Sequence, residues 1–290
     1  MKTAYKTLSC IATAALLLTA CDDVKEGDRY IEMDAIVPQR AVLLEDFTGQ
    51  NCINCPEAHV VMEQLVEQYG EDKVIPVSIH CGDFGVSVDN TNFDKNNIGL
   101  MTAEGQAIME AYGIQQFPMG VVDMGSPLTF TQWAAAVRAD LEKATDVNIT
   151  ATVDYTEPAP GSDQGEIGIK AQVISGSSRT ANIQFWIVED GIVARQRSTA
   201  GMIRDYVHNH VFRAQVFDGL KGQEITLKDG VYTDVEGSIT ARYTDKERWE
   251  VANLSVVVFV SDGSGVLQVI KVPVIAKDNG GDDQPEQPAA

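Results

Sequence analysis

The sequence predicts an α/β domain over residues 40–145, followed by an all-β domain over residues 146–276. In the first range, short apolar segments typical of strands alternate with segments whose apolar residues recur at helical spacing. In the second range the helical spacing disappears, and segments with every second residue apolar are separated by Gly, Asp and Ser clusters. The first pattern favours a sheet covered by helices. The second, with about seven short strands and no predicted helix, favours an antiparallel β-sandwich of immunoglobulin-like architecture.

The first 20 residues have the order of a bacterial export signal. Lys2 and Lys6 make the start positive, and the nearly apolar run Leu8 to Leu18 is too short to span a bilayer as a stable helix. The sequence LTAC, which ends at Cys21, resembles the cleavage site of bacterial lipoproteins. This resemblance implies that residues 1–20 are a signal peptide and that Cys21 is lipidated and anchors the protein in a membrane.

Residues 21–39 and 277–290 are predicted to lie outside both domains. The first segment is polar and acidic, which predicts a flexible tether. The second is rich in Gly, Pro and Asp and is predicted to be disordered, because it has no large apolar side chains to bury. The net charge of the chain is -20, which argues against nucleic acid as a partner because phosphate binding needs clustered Lys and Arg. The lipid on Cys21 is the predicted contact with the membrane, and the sequence predicts no oligomeric state.

Residues 40–145 contain three predicted strands and three predicted helices. The strand segments are AVLLEDF, KVIPVSIH and MGVVDM, and the helical segments are PEAHVVMEQLVEQYG, MTAEGQAIMEAYGI and TFTQWAAAVRADLEKA. Gly70 is a stop signal for the first helix, and Thr129 with Gln132 has the spacing of a capping box at the start of the third.

Six further segments in residues 146–276 are predicted strands. They are VNITATVDY, EIGIKAQVI, NIQFWIVED, SITARYT, LSVVVFV and VLQVIKVPV. Trp186 lies in the third of them and is predicted to belong to the core rather than to a ligand platform.

The segment FTGQNCINCPE contains a Cys-x-x-Cys motif, Cys52 to Cys55, which is the most specific chemical signal in the sequence. Of five cysteines, Cys52, Cys55 and Cys81 remain in the mature, extracytoplasmic chain, where disulfides persist. Cys52 stands where the first helix is predicted to begin, and the positive end of a helix dipole lowers the pKa of a thiol. We therefore expect Cys52 to be the nucleophile, Cys55 to be the buried resolving thiol and Cys81 to be a buried small side chain.

Three roles of the Cys52–Cys55 pair are open: a redox couple, an inert disulfide and half of a zinc site. A disulfide that closes so short a loop contributes little to stability, which favours the redox role over a purely structural one. Zinc would need a second Cys or His pair at metal-ligand spacing, which the sequence lacks. His208 and His210 in DYVHNHVFRA are predicted to share one face of a strand, and we predict a structural role for both, with no metal site and no cofactor.

Two segments resemble thioredoxin-fold proteins. EDFTGQNCINCPEAH is similar to their strand-to-helix segment with its buried Asp-Phe pair, and YGIQQFPMGVV is similar to the segment that carries their cis-proline. The resemblance implies a thioredoxin-like fold for residues 40–145, with Asp46 as a proton relay for Cys55 and Pro118 seating the client chain. Asn51 replaces the aromatic residue that usually precedes the first cysteine in this fold. The resemblance therefore does not extend to the redox potential of the pair.

Taken whole, the chain resembles the outer membrane protein 28-related lipoproteins of Bacteroidetes. The segments VLLEDFTGQNCINCPEAH, QQFPMGVVD and DYVHNHVFRA carry this resemblance. It implies a lipid-anchored protein of the outer membrane, on its periplasmic face or on the cell surface.

Two functions are compatible with these observations. One is thiol–disulfide exchange with the thiols or disulfides of client proteins. The alternative is a non-enzymatic, adhesin-like surface lipoprotein that binds a host or envelope ligand and uses the thioredoxin-like domain as a scaffold.

Overall fold

The computed structural model describes residues 39–89, 98–162, 164–242 and 248–276. The predicted signal peptide, the lipidation site Cys21, all but the last residue of the predicted tether, and the predicted tail 277–290 lie outside the described residues. No helix in the described ranges is long and apolar enough to cross a membrane.

Within these ranges the chain forms three α-helices and thirteen β-strands. The helices are α1 (Cys55–Tyr69), α2 (Ala103–Ala111) and α3 (Phe130–Leu141). The strands are β1 (Val42–Thr48), β2 (Val74–His80), β3 (Met119–Val122), β4 (Val147–Thr156), β5 (Gln164–Ser175), β6 (Arg179–Glu189), β7 (Ile192–Ser198), β8 (Gly201–His208), β9 (Val211–Gln215), β10 (Gln223–Leu227), β11 (Thr233–Arg242), β12 (Leu254–Asp262) and β13 (Gly265–Pro273).

All three predicted helices form, and their ends follow the local signals. Helix α1 carries Pro56 in its first turn, where the missing N–H leaves no helical bond unmade, and it ends at Gly70, whose φ of 99° favours glycine. At the start of α3, the side-chain oxygen of Gln132 accepts a hydrogen bond from the Thr129 N–H at 3.2 Å, as the capping-box spacing predicts.

One eight-stranded sheet joins strands from both halves of the chain. Its order is β13-β12-β6-β9-β2-β1-β3, and β10 also pairs with β6. Strands β1 and β2 are parallel, and β3 runs antiparallel to β1. The halves meet where β2 pairs with β9: the N–H of Ser78 donates to the carbonyl of His210 at 2.7 Å, next to the bridge between Ser78 and Val211.

The predicted fold class, a thioredoxin-like α/β domain followed by an immunoglobulin-like sandwich, is therefore wrong. The described chain is mostly β, and a single sheet crosses the predicted boundary at residue 145. The cores also merge, since Phe47 and Ile79 share a buried cluster with Trp186 and Phe259. The physical reason is that the outer edge of β2 offers N–H and C=O groups to a further strand, and β9 of the second half pairs with it at Ser78.

A second, three-stranded sheet in the order β11-β5-β4 packs against strands β6 and β12 of the large sheet. Ile169 and Val173 of β5 share a buried cluster with Phe185 of β6 and Val258 of β12. Trp186 is fully buried, so the prediction that it belongs to the core is confirmed.

Strands β7 and β8 form a separate two-stranded sheet, which we call the β7–β8 hairpin (Ile192–His208). Within this range the sequence predicts a strand only around His208, in DYVHNHVFRA, and no hairpin. The backbone N–H of Arg197 donates to the carbonyl of Gln50 at 2.8 Å, so the hairpin is held against the loop that carries the cysteine pair.

Candidate functional site

Cys52 and Cys55 form a disulfide with a Cα–Cα distance of 5.5 Å. Helix α1 begins at Cys55 rather than at Cys52, which lies in the preceding turn, where its N–H donates to the Gly49 carbonyl. Cys55 is fully buried and Cys52 is 3% exposed. Both sulfurs are therefore enclosed, and the roles of nucleophile for Cys52 and resolving thiol for Cys55 stay predictions.

The cysteine loop is held by the β7–β8 hairpin through one buried amide. The side-chain nitrogen of Gln196 donates to the carbonyl of Cys52 at 2.9 Å and to that of Gly49 at 3.2 Å, and Gln196 has no exposed surface. On its other side, the Gln50 side chain donates to the Ile98 carbonyl at 2.8 Å. Buried polar contacts of this kind fix the loop, because breaking one leaves a buried carbonyl without a donor.

Pro118 lies at the start of the β3 segment. It is buried, and its peptide bond with Phe117 is cis. The Phe117 ring contacts the ring of Phe84 with a centroid distance of 5.6 Å, and the Phe84 carbonyl accepts a hydrogen bond from the Asn51 N–H at 2.9 Å. Phe84 thus connects the Pro118 segment to the cysteine loop.

Asp46 is fully buried on β1 and faces a histidine that sequence analysis did not single out. Its Oδ2 lies 3.2 Å from Nε2 of His59, which is also 3.0 Å from the Thr48 hydroxyl. The other ring nitrogen of His59 lies 2.8 Å from the hydroxyl of Tyr206 on β8. A chain of polar contacts therefore runs from buried Asp46 through His59 to the hairpin.

The signal that would have found His59 is its spacing from Cys55. Residues four apart on a helix share a face, with Cβ atoms about 5–6 Å apart, and Cys55 and His59 both lie on the buried face of α1. The segment CPEAH therefore places an imidazole one turn beyond the resolving cysteine.

A cavity of about 480 Å³ opens between α1 and β8. Its lining includes His59, Tyr206, His80 and His208, and the last two rings contact each other with a centroid distance of 5.1 Å. Burial lowers the pKa of His208 to about 3 and holds that of His80 well below its usual value, so both rings are neutral. In the described part of the chain, no three His, Cys, Asp or Glu side chains are grouped so that they would hold a metal ion.

The sequence predicts that His208 and His210 share one face of a strand, and this prediction is wrong. His210 follows β8 in a turn with φ of 57°, and its ring lies 3.1 Å from Asp190 and 3.5 Å from Glu63. Burial lowers the pKa of His210, but the hydrogen bonds to these two carboxylates raise it by more. His210 thus ties β9 to α1.

Comparison with known proteins identifies the family. A sequence model of the outer membrane protein Omp28 family matches residues 105–278, which is more than half of the chain. The chain belongs to the Omp28 family. This assignment confirms the predicted family and the predicted outer-membrane location of the protein. The match begins after the cysteine pair and Asp46, so it carries no information about their role.

Solved structures resemble this Omp28-family protein at low sequence identity. HBP35 of Porphyromonas gingivalis is 16% identical with a TM-score of 0.57, and the match covers 87% of this chain and 81% of that one, which shows a similar fold. A domain of the outer membrane lipoprotein Omp28 from Porphyromonas gingivalis is 21% identical over 45% of this chain and 88% of that one. Its TM-score of 0.31 supports no structural conclusion. No curated protein sequence matches the chain.

The third cysteine in the described part of the chain is enclosed. Cys81 has no exposed surface, its sulfur lies 3.3 Å from the Ile79 carbonyl, and burial raises the pKa of its thiol. The prediction that Cys81 is a buried side chain is confirmed.

Proposed function

We propose that this Omp28-family protein exchanges disulfides with client proteins of the cell envelope through Cys52 and Cys55. The observation that carries the proposal is the asymmetry of the pair. Both cysteines are buried, but Cys52 lies in the turn before α1 and keeps 3% exposure, whereas Cys55 is the first residue of α1 and has no exposed surface. An attacking client thiolate therefore meets Cys52 first, and the sulfur that leaves is held at the positive end of a helix.

The exchange proceeds in two balanced steps. A client thiolate attacks Sγ of Cys52, the Cys52–Cys55 bond breaks, a client–Cys52 mixed disulfide forms, and Cys55 leaves as a thiolate that takes up a proton. A second client thiolate then attacks the client sulfur of the mixed disulfide and releases Cys52 as a thiolate. The reverse sequence reduces a client disulfide, with Cys55 as the resolving thiolate.

We assign proton transfer at Cys55 to Asp46 acting through His59. Asp46 and His59 are 3.2 Å apart, and His59 lies one helical turn from Cys55. Tyr206 extends the same chain of contacts toward the cavity between α1 and β8. Pro118 is itself buried and is assigned to shaping the client-binding surface, because Phe117 and Phe84 connect its segment to the cysteine loop.

Insulin reduction tests the proposal on the mature, lipidated protein in a neutral detergent. With dithiothreitol as the electron source, the wild-type protein should precipitate the insulin B chain faster than dithiothreitol alone. Cys52→Ser should abolish this acceleration, and the matched variant Cys81→Ser should keep it. The proposal fails if Cys52→Ser and the wild type reduce insulin at the same rate.

A second candidate function is non-enzymatic binding of a host or envelope ligand at the cell surface. The nearly complete burial of the disulfide favours it, since an enclosed disulfide is also what an inert pair would show. Protease treatment of intact cells tests surface exposure, and a ligand-binding protein should bind equally well as wild type and as Cys52→Ser.

A further inference from the structure

We propose that the surface beside Cys52 selects extended client segments that are both apolar and acidic. This inference rests on the proposed function and specifies its substrate class. It is carried by three features of the β7–β8 hairpin and the cysteine loop: exposed apolar side chains, unpaired arginines and a free strand edge.

Large apolar side chains are exposed next to the disulfide. Ile53, inside the Cys-x-x-Cys motif, is 48% exposed, and Met202 and Ile203 of β8 are 46% and 40% exposed. Burying such side chains against an apolar client segment removes hydrocarbon surface from water, which favours binding. Because these side chains lie beside the disulfide, a client segment bound to them would be held close to Cys52.

The register of the hairpin places these side chains near Cys52. Ile203 pairs with Gln196, whose amide bonds to the Cys52 carbonyl, and Met202 pairs with Arg197, whose N–H bonds to the Gln50 carbonyl. Paired strands lie about 4.8 Å apart, so Met202 and Ile203 are one strand removed from the cysteine loop.

The hairpin is cationic although the whole chain carries a net charge of -20. It contains Arg195, Arg197 and Arg204 with a single acidic residue, Asp205. Arg197 and Arg204 are exposed, and within the described ranges neither forms an ion pair with a carboxylate. Because salt screens charges beyond about 8 Å at physiological ionic strength, the charges nearest to Cys52 act most strongly on a client. The exposed carboxylates on this side are Glu57 in the first turn of α1 and Asp83 next to Phe84, and the exposed arginines of the hairpin oppose them.

Strand β8 offers an edge for an extended segment. It pairs with β7 on one side and has no strand partner on the other side in the part of the chain that the structure describes. An extended peptide can add to such an edge through backbone hydrogen bonds, while alternate side chains contact the neighbouring surface. The exposed apolar and cationic side chains of the hairpin then decide which peptides fit.

The test compares two peptides of equal length that differ only in charge. Each carries one cysteine as a mixed disulfide with thionitrobenzoate, flanked by two Leu and by either four Glu or four Lys. The lipidated Cys55→Ser protein, reduced and in neutral detergent, supplies the Cys52 thiolate. This thiolate attacks the peptide sulfur, forms a peptide–Cys52 disulfide and releases thionitrobenzoate, which is read by its absorbance.

We expect the acidic peptide to react about tenfold faster than the basic one at low salt, with the difference shrinking in 1 M NaCl. Arg197→Glu with Arg204→Glu, added to Cys55→Ser, should remove or invert the preference. The matched control Lys170→Glu with Lys228→Glu changes the net charge equally on exposed residues elsewhere and should preserve it.

The outcomes separate the inference from the proposed function. If both peptides react at the same rate, the selectivity is refuted while exchange at Cys52 stands. A preference that the remote control loses as fully as the hairpin variant refutes the role of the hairpin. If neither peptide reacts above the Cys52→Ser, Cys55→Ser background, the proposed function and the inference both fall.

Discussion

The contact between Gln196 and the cysteine loop allows a quantitative prediction for the variant Gln196→Ala. In the described structure, the Gln196 side chain donates a hydrogen bond to the Cys52 carbonyl at 2.9 Å, and this carbonyl has no second donor there. The Gly49 carbonyl, the other acceptor, also receives a hydrogen bond from the Cys52 N–H. Truncation therefore leaves one buried carbonyl unsatisfied, which costs about 2 kcal/mol. The hairpin loses that free energy of attachment to the loop.

The expected readout is faster reduction of the disulfide. If a reductant reaches Cys52 through a state in which the hairpin is lifted, 2 kcal/mol raises the population of that state about 30-fold. The rate of reduction by dithiothreitol should rise by up to this factor. It is followed by acid quenching, alkylation of the freed thiols and measurement of the mass increase.

Gln172→Ala is the matched control, because Gln172 is exposed on β5 and bonds only to the side chain of Asp234 in the described structure. Its reduction rate should equal that of the wild type. The reasoning is refuted if Gln196→Ala loses thermal stability as expected but its disulfide is reduced no faster than that of Gln172→Ala.

Three further predictions concern the pH dependence, the core and the anchor. Burial raises the pKa of Glu45 to about 8, so between pH 4.5 and 8 the unfolded chain loses this proton while the folded chain keeps it. The free energy of unfolding therefore falls over that range, by at most about 5 kcal/mol. Glu45→Gln should flatten that fall in urea titrations, and the exposed control Glu166→Gln should leave it unchanged. A Cβ on Gly120 would lie 2.4 Å from the buried ring of Trp133, so Gly120→Ala should destabilise by about 3 kcal/mol in thermal melts, whereas Gly263→Ala, which meets nothing within 4 Å, should be nearly neutral. Cys21→Ser should abolish incorporation of labelled palmitate and release the protein from membranes, and continued labelling would contradict lipidation at Cys21.

The sequence was sufficient for the elements of the first half of the chain because their signals are local. Helical spacing, Gly70 and the capping box at Thr129 each act within a few residues, and all three helices form where these signals stand. The fold class was wrong because pairing between strands is not local. The residue pattern of KVIPVSIH does not indicate that the outer edge of this strand pairs, at Ser78, with Val211 of β9.

The site was predictable in part for the same reason. The cysteine pair and the burial of Asp46 and Cys81 follow from short segments, whereas the hairpin contact through Gln196 joins residues 144 positions apart. His59 was within reach of sequence reasoning through its helical spacing from Cys55. Tyr206, its partner on β8, was not, because no local signal in DYVHNHVFRA shows that this segment packs against α1.

The central claim, that Cys52 exchanges disulfides with clients, is tested most directly by trapping in the native bacterium. Cells that produce the Cys55→Ser protein are quenched in acid and alkylated, and the protein is purified through a tag and separated without reductant. The account predicts higher-mass adducts that dithiothreitol dissolves and that are missing from Cys52→Ser, Cys55→Ser cells. It is contradicted if Cys55→Ser yields no adduct, or yields the same adducts when Cys52 is also replaced.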